Sequence, residues 1–134
     1  IPSLIRKASE QDVLEVWGDG SSIRDFIHAK DVALGMIHAV KNKITEPINL
    51  GSGDGVKISS IALAVSKKFN KKIKWLTDKP TGDARRVFDM SRASQHGFKP
   101  TISIEEGINQ TIEWFLANKD IIDKRFNAFN NEEK

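Results

Sequence analysis

Arg24, in the run R-D-F-I-H over residues 24–28, is the side chain in this sequence best fitted to hold an anion. A guanidinium stays charged at any working pH and presents a planar fork of donors that suits phosphate or carboxylate. Two readings of it stand. In one, Arg24 bridges oxygens of a bound phosphate; in the other, it pairs at the surface with Asp25 or Asp31, a contact worth under about 1 kcal/mol. Lys79, in K-P-T-G over residues 79–82, is a second cation on a loop, and Arg85 and Arg86 follow it closely. Gly51-Ser52-Gly53-Asp54-Gly55 is a glycine-rich run of the kind that admits a pyrophosphate to a helix N-terminus. The third glycine of a dinucleotide-binding G-x-G-x-x-G falls on Val56, so an ordinary turn is the stronger reading and NAD binding there the weaker.

Reaction chemistry is harder to assemble. His28, His38 and His96 lack metal-ligand spacing, and no metal site is expected. His28 reads as a hydrogen-bonded structural histidine within an apolar strand, and His96, just before Gly97, as a helix C-terminal cap. No serine sits in a G-x-S-x-G elbow. Asp19 and Asp25 form a nominal carboxylate pair, but turn chemistry accounts for Asp19, and Arg24 or backbone donors for Asp25. These residue types bind anions without forming a catalytic centre.

Alternating helices and strands must position these groups. Pro2 suits the first turn of a helix through Ala8. Leu14–Trp17 and Phe26–His28 flank the turn Gly18-Asp19-Gly20-Ser21-Ser22, a pattern that predicts a strand, a turn and a return strand. Val32, Ala33, Met36, Ile37 and Val40 recur at helical spacing as far as Lys41. Ile48-Asn49-Leu50 reads as a short buried strand, and Ser59 as the cap of a helix whose face is Ile61, Ala62, Val65 and Phe69. Ile73 and Trp75 alternate with Lys72 and Lys74 as in a half-buried strand, and Arg85–Asp89 reads as another. A single turn or two of helix spans Ser91–His96. Ser103 and Glu106 form a capping box that opens a helix with Ile104, Ile108, Ile112 and Phe115 on one stripe. The domain is expected over residues 1–118, with a polar, fraying tail over 119–134.

Composition sets further bounds. The 134 residues carry 21 Lys and Arg against 18 Asp and Glu, and a net charge of +3 is too weak to argue for a nucleic-acid partner. The lysines at 67, 68, 71, 72 and 74 surround a helix end, where cations offset the dipole. The absence of cysteine excludes a disulfide framework, a thiolate zinc site and a cysteine nucleophile. No apolar run approaches the roughly 18 residues of a membrane span, and no signal peptide is visible, so a cytoplasmic protein without membrane contact is expected.

Five segments taken in order carry a resemblance. They are I-P-S-L-I-R-K-A, V-W-G-D-G-S-S-I-R-D-F-I-H-A-K-D-V-A, I-N-L-G-S-G, K-P-T-G-D-A-R-R-V-F-D-M-S-R-A and G-F-K-P-T-I-S-I-E-E-G-I. Together, to about Phe115, they resemble the extended short-chain dehydrogenase/reductases that act on nucleotide sugars, the NAD-dependent epimerase/dehydratase family. Within it the pattern is closest to the GDP-L-fucose synthase branch of epimerase/reductases. The resemblance implies an α/β fold: the C-terminal, substrate-binding portion of such an enzyme, with elements that complete a Rossmann-type sheet. It also implies that the N-terminal NAD(P)-binding half lies outside this chain. The family's catalytic tyrosine, in Y-x-x-x-K, has no counterpart among residues that include no tyrosine. The chain alone is therefore expected to be neither catalytic nor cofactor-binding. NADP or NAD would serve the full-length enzyme, which is expected to be a homodimer acting on a nucleotide-diphosphate sugar.

Carried over by position, the resemblance assigns Arg24 and Lys79 to the substrate diphosphate from opposite walls. It assigns Leu4 and Lys7 to the nucleotide, and Val16 and Trp17 to base and ribose. Lys7 stands where the fucose synthases have an arginine. Plain packing for Trp17 and an exposed loop for Lys79 are the alternatives. A 4-epimerase or a dehydratase of the same family, or a non-catalytic nucleotide-binding or interaction module, are the alternatives for the whole.

Overall fold

The computed structural model describes residues 1–119. Ten elements follow in order: α1 (Pro2–Glu10), β1 (Val13–Trp17), β2 (Ile23–Asp25), α2 (Ala29–Lys41), β3 (Gly55–Lys57), α3 (Ile58–Phe69), β4 (Lys72–Leu76), β5 (Arg85–Arg86), α4 (Ser91–Gln95) and α5 (Ile104–Ala117). The α/β class expected from the sequence is what forms. Two small sheets share the strands: β1 runs parallel to β4, and β2 lies between antiparallel β3 and parallel β5.

The core follows from apolar periodicity. Ile5 and Ala8 of α1, Leu14 and Val16 of β1, Ile61, Ala62 and Val65 of α3, and Ile108, Ile112 and Phe115 of α5 form one buried cluster. Each of its Ile, Leu, Val and Phe side chains contributes about 1.5–3 kcal/mol on removal from water. On the strands the alternation is clean: Ile73 and Trp75 turn inward while Lys72 and Lys74 face water. Lys74 pairs in register with Glu15 across the parallel ladder and donates to its carboxylate at 2.8 Å. The α5 start is as the sequence implies, with Ser103 Oγ accepting from the Glu106 N–H. The reciprocal half of the box does not form, because the Glu106 carboxylate accepts from Gln110 instead.

Residues 13–28 are not a hairpin. Strands β1 and β2 belong to different sheets, and the turn between them spends its hydrogen bonds elsewhere. Gly18 N–H donates to the Leu76 carbonyl, continuing the β1–β4 ladder, while the carbonyls of Gly20 and Ser22 accept from the N–H groups of Ser59 and Ile58. Those two bonds also close the start of α3. Its N-cap is accordingly Lys57 without a side-chain bond, and Ser59 lies inside the helix rather than capping it.

Three further expectations change. Ile48–Leu50 is not a strand: no neighbouring strand offers it a ladder, and the strand of this region is β3, after the glycines. The Arg85–Asp89 strand shortens to Arg85–Arg86, because the Phe88 N–H turns to the Asp25 carboxylate instead of a ladder carbonyl. His28 is not in a strand; it is the N-cap of α2, its Nδ1 accepting from the Lys30 N–H at 3.2 Å. His96 does end α4, with Gly97 beyond it in the left-handed region.

Helix α2 ends at Lys41 as expected but begins earlier, at Ala29, and the residues it buries are Asp31 and Gly35. Its apolar stripe faces outward: Leu34, Met36, Ile37 and Val40 are exposed, Val40 at 79%. The helix is held at two points: His38 Nε2 bonds to the His96 carbonyl at 2.7 Å, and Asp31, 1% exposed, accepts from Thr101 N–H at 3.1 Å, Thr101 Oγ1 at 2.8 Å and Ile102 N–H at 2.9 Å. Among the described residues no helix is long and apolar enough to cross a membrane. The tail expected to fray falls, after Lys119, outside the described residues.

Candidate functional site

Arg24 lies at the middle of β2, where neighbouring residues point to opposite faces of the sheet. Asp25, next in sequence, therefore turns away from it. Among the described residues Arg24 makes no ion pair, so the reading of a surface pair with Asp25 or Asp31 does not hold. Its guanidinium is instead held by neutral acceptors: one terminal nitrogen donates to the Ile23 carbonyl at 2.8 Å, the other to the Thr81 carbonyl at 3.1 Å. Two carbonyls fix the plane of the fork without neutralising it, which leaves its other N–H donors for an anion.

The guanidinium borders a cleft of about 170 Å³ lined by Trp17, Gly20, Ser22, Arg24, Ile58, Pro80 and Thr81. Trp17 ends β1, beside Leu76 at the end of β4, and is 54% exposed. The opposite wall is the loop from Thr77 to Ala84, pinned by Lys79 N–H to the Leu76 carbonyl and by Ile23 N–H to the Ala84 carbonyl. Gly18 lets that loop approach: its φ is +76°, and a Cβ there would lie 2.1 Å from Thr81 Cγ2. The V-W-G-D-G run thus supplies a wall residue and the gap into which the facing loop fits.

Of the residues expected to bind, the structure brings Arg24 and Trp17 together and sets Lys79 on the same loop as Thr81. Lys79 is solvent-exposed, with Asp78 at 3.7 Å. Val16 is 4% exposed and belongs to the core. Leu4 packs against that core, and Lys7 Nζ donates to the Glu15 carbonyl at 3.4 Å. None of these three lines the cleft. Sequence reasoning missed Ser22, Ile58 and the Thr81 carbonyl. Nothing local in the sequence marks them, since Thr81 meets Arg24 only through the pairing of β2 with β5.

The glycine-rich loop is already filled. Asp25 accepts from Ser52 N–H at 2.8 Å, Ser52 Oγ at 2.5 Å and Gly53 N–H at 3.0 Å. It also accepts from Phe88 N–H at 3.2 Å. Burial pushes this carboxyl up, but the bonds from Ser52, Phe88 and Gly53 outweigh it and hold the group below the usual carboxylate range. A pyrophosphate at Gly51–Gly55 would meet this carboxylate where it needs donors, so the loop does not fit a dinucleotide. A larger, mostly apolar cavity of about 370 Å³ lies between the His28 segment and the start of α5. Among the described residues no group of His, Asp and Glu has metal-binding geometry.

Residues 1–51 match the model of the NAD dependent epimerase/dehydratase family. A putative GDP-L-fucose synthase of Arabidopsis thaliana is 36% identical over 126 residues, 88% of this chain and 38% of the relative. The crystal structure of a GDP-L-fucose synthetase from Naegleria fowleri bound to NADP superposes with a TM-score of 0.80 at 24% identity, over 88% of this chain and 40% of that one. The UDP-glucuronic acid 4-epimerase of Bacillus cereus, in complex with UDP-glucuronic acid and NAD, gives a TM-score of 0.73 at 27% identity, over 85% and 38%. The chain thus spans about two-fifths of the length of these proteins.

Proposed function

We propose, from this relationship to the NAD dependent epimerase/dehydratase family, that the chain is the C-terminal, nucleotide-sugar-binding part of an NAD(P)-dependent epimerase/reductase like the GDP-L-fucose synthases. The observation that carries this reading is the Arg24 guanidinium, oriented by two carbonyls, unpaired with any described carboxylate and facing a cleft. Its remaining donors bridge diphosphate oxygens, the exposed ring of Trp17 offers a stacking surface beside them, and Lys79 adds charge from the facing loop.

The identity with a GDP-L-fucose synthase supports GDP as the carrier, and that with a UDP-glucuronic acid 4-epimerase supports UDP as the second reading. NADP or NAD belongs in this proposal to the whole protein, as do homodimerisation and a cytoplasmic location. The chain's own glycine-rich loop takes no part in holding the cofactor, because Asp25 occupies it.

Calorimetric titration of the chain with GDP, UDP and NAD tests the reading. A nucleoside diphosphate should bind, and Arg24→Ala should weaken it by roughly 10- to 150-fold, the equivalent of about 1.5–3 kcal/mol for a charged hydrogen bond. Binding of NAD alone, or a change within twofold in Arg24→Ala, overturns it.

A further inference from the structure

Asp25 accepts four hydrogen bonds from two places in the chain: the 51–53 loop before β3 supplies three, and Phe88, two residues beyond β5, supplies the fourth. The fit is close. A Cβ on Gly51 would lie 3.0 Å from the Asp25 carboxylate and 2.8 Å from the Phe88 ring. The β2–β5 ladder is only two residues long, Ile23 with Arg85 and Arg24 with Arg86. The Phe88 N–H bond to Asp25 extends this short pairing by a side chain where the backbone ladder stops.

We propose that Asp25 is the positioning residue of the Arg24 site. Its carboxylate, seated in the 51–53 loop, clamps the far end of β5 to β2 and so sets the loop before β5, whose Thr81 carbonyl fixes the guanidinium. The two adjacent residues divide the work: Arg24 faces the cleft, and Asp25, on the other face of the strand, holds the wall that orients it. As a statement about ligand binding this rests on the diphosphate reading of Arg24; as a statement about geometry it does not.

Asp25→Asn is the direct test, since the amide nearly matches the carboxylate in shape but turns an NH₂ toward N–H donors. In a ¹H–¹⁵N NMR spectrum of the chain it should shift the Ser52, Gly53 and Phe88 amides and also the Arg24 guanidinium signals. Affinity for GDP and UDP should fall about tenfold. Asp25→Ala should lose the same affinity and regain most of it in added formate, which replaces the missing carboxylate. Val65→Ala, which destabilises the core away from the site, should leave affinity within twofold and so separates positioning from general loss of stability. An unmoved Arg24 signal in Asp25→Asn overturns the proposal whether or not nucleotides bind. So does undiminished affinity in that variant, or a loss in Asp25→Ala that formate does not restore. If the unsubstituted chain binds no nucleoside diphosphate, the diphosphate reading falls, and the guanidinium signals still decide the role of Asp25.

Discussion

Asp31→Ala should cost the fold about 3–4 kcal/mol. The carboxylate is 1% exposed and accepts three bonds, from both N–H groups of Thr101 and Ile102 and from the Thr101 hydroxyl. Bonds to a charged acceptor contribute about 1.5–3 kcal/mol each, but three that share one carboxylate do not add, and the unfolded aspartate is well hydrated. Against that, the variant strands two backbone donors that lose their only acceptor in this structure, at about 1–3 kcal/mol each if water does not reach them. A domain of this size loses roughly 3–5 °C of Tm per kcal/mol, so the midpoint should drop by about 10–20 °C. Urea unfolding followed by tryptophan fluorescence measures the loss directly, with an unchanged m-value as the check that both states keep their compactness. A loss below about 1 kcal/mol would mean that Asp31 does not tie α2 to the approach of α5, and the account of how α2 is held would fail.

Acid should act through the same carboxylates. Burial raises the Asp31 carboxyl, but bonds from Ile102 and Thr101, with His28 nearby, bring it below its ordinary value, and Asp25 is depressed likewise. Their contribution is therefore complete above the unfolded value of about 3.9 and is lost as pH falls through it toward the depressed folded value. Urea midpoints between pH 3 and 7 should show that decline, and it should be shallower in Asp31→Asn. Gly18→Ala should destabilise the fold and weaken nucleotide binding, because the added Cβ meets Thr81 at 2.1 Å. Gly97→Ala, also at positive φ but with its nearest neighbour atom 3.9 Å away, should cost only the backbone penalty of about 1–2 kcal/mol and leave binding unchanged in calorimetry. Ser103→Ala should cost about 1 kcal/mol through the lost α5 cap, read as a small fall in Tm.

Features decided within a few residues were legible in the sequence. The Ser103 cap, the Ile108–Ile112–Phe115 stripe and the alternation along β4 all formed as their spacing implies. Satisfaction of Asp25 by backbone donors is one of the two readings its sequence allows, and in the structure those donors are Ser52, Gly53 and Phe88. What misled was partnership at long range. The glycines after Trp17 have the chemistry of a hairpin turn, yet the strand beside β1 comes from residues 72–76. The Ile48-Asn49-Leu50 triplet has the apolar–polar alternation of a strand and no ladder to join. Along α2, periodicity identified the helix correctly, but it does not say what covers the stripe, and the described chain leaves it open. The site divides the same way: Arg24 stands out by type, whereas the carbonyl of Thr81 that orients it is invisible until β5 lies beside β2.

Every strand among the described residues waits for a partner far along the chain. Val13 meets Lys72, Ile23 meets Lys57 and then Arg85, and no tight turn joins any of these strands to its partner. Loop closure must precede the reward of pairing, so folding should be slow for the chain's length, with the helices formed before the sheets. During synthesis β2 emerges with both of its future neighbours still unmade, its edges open to other chains. The Arg24 cleft therefore assembles last, when Arg85 and Arg86 reach β2 and bring the Thr81 loop across.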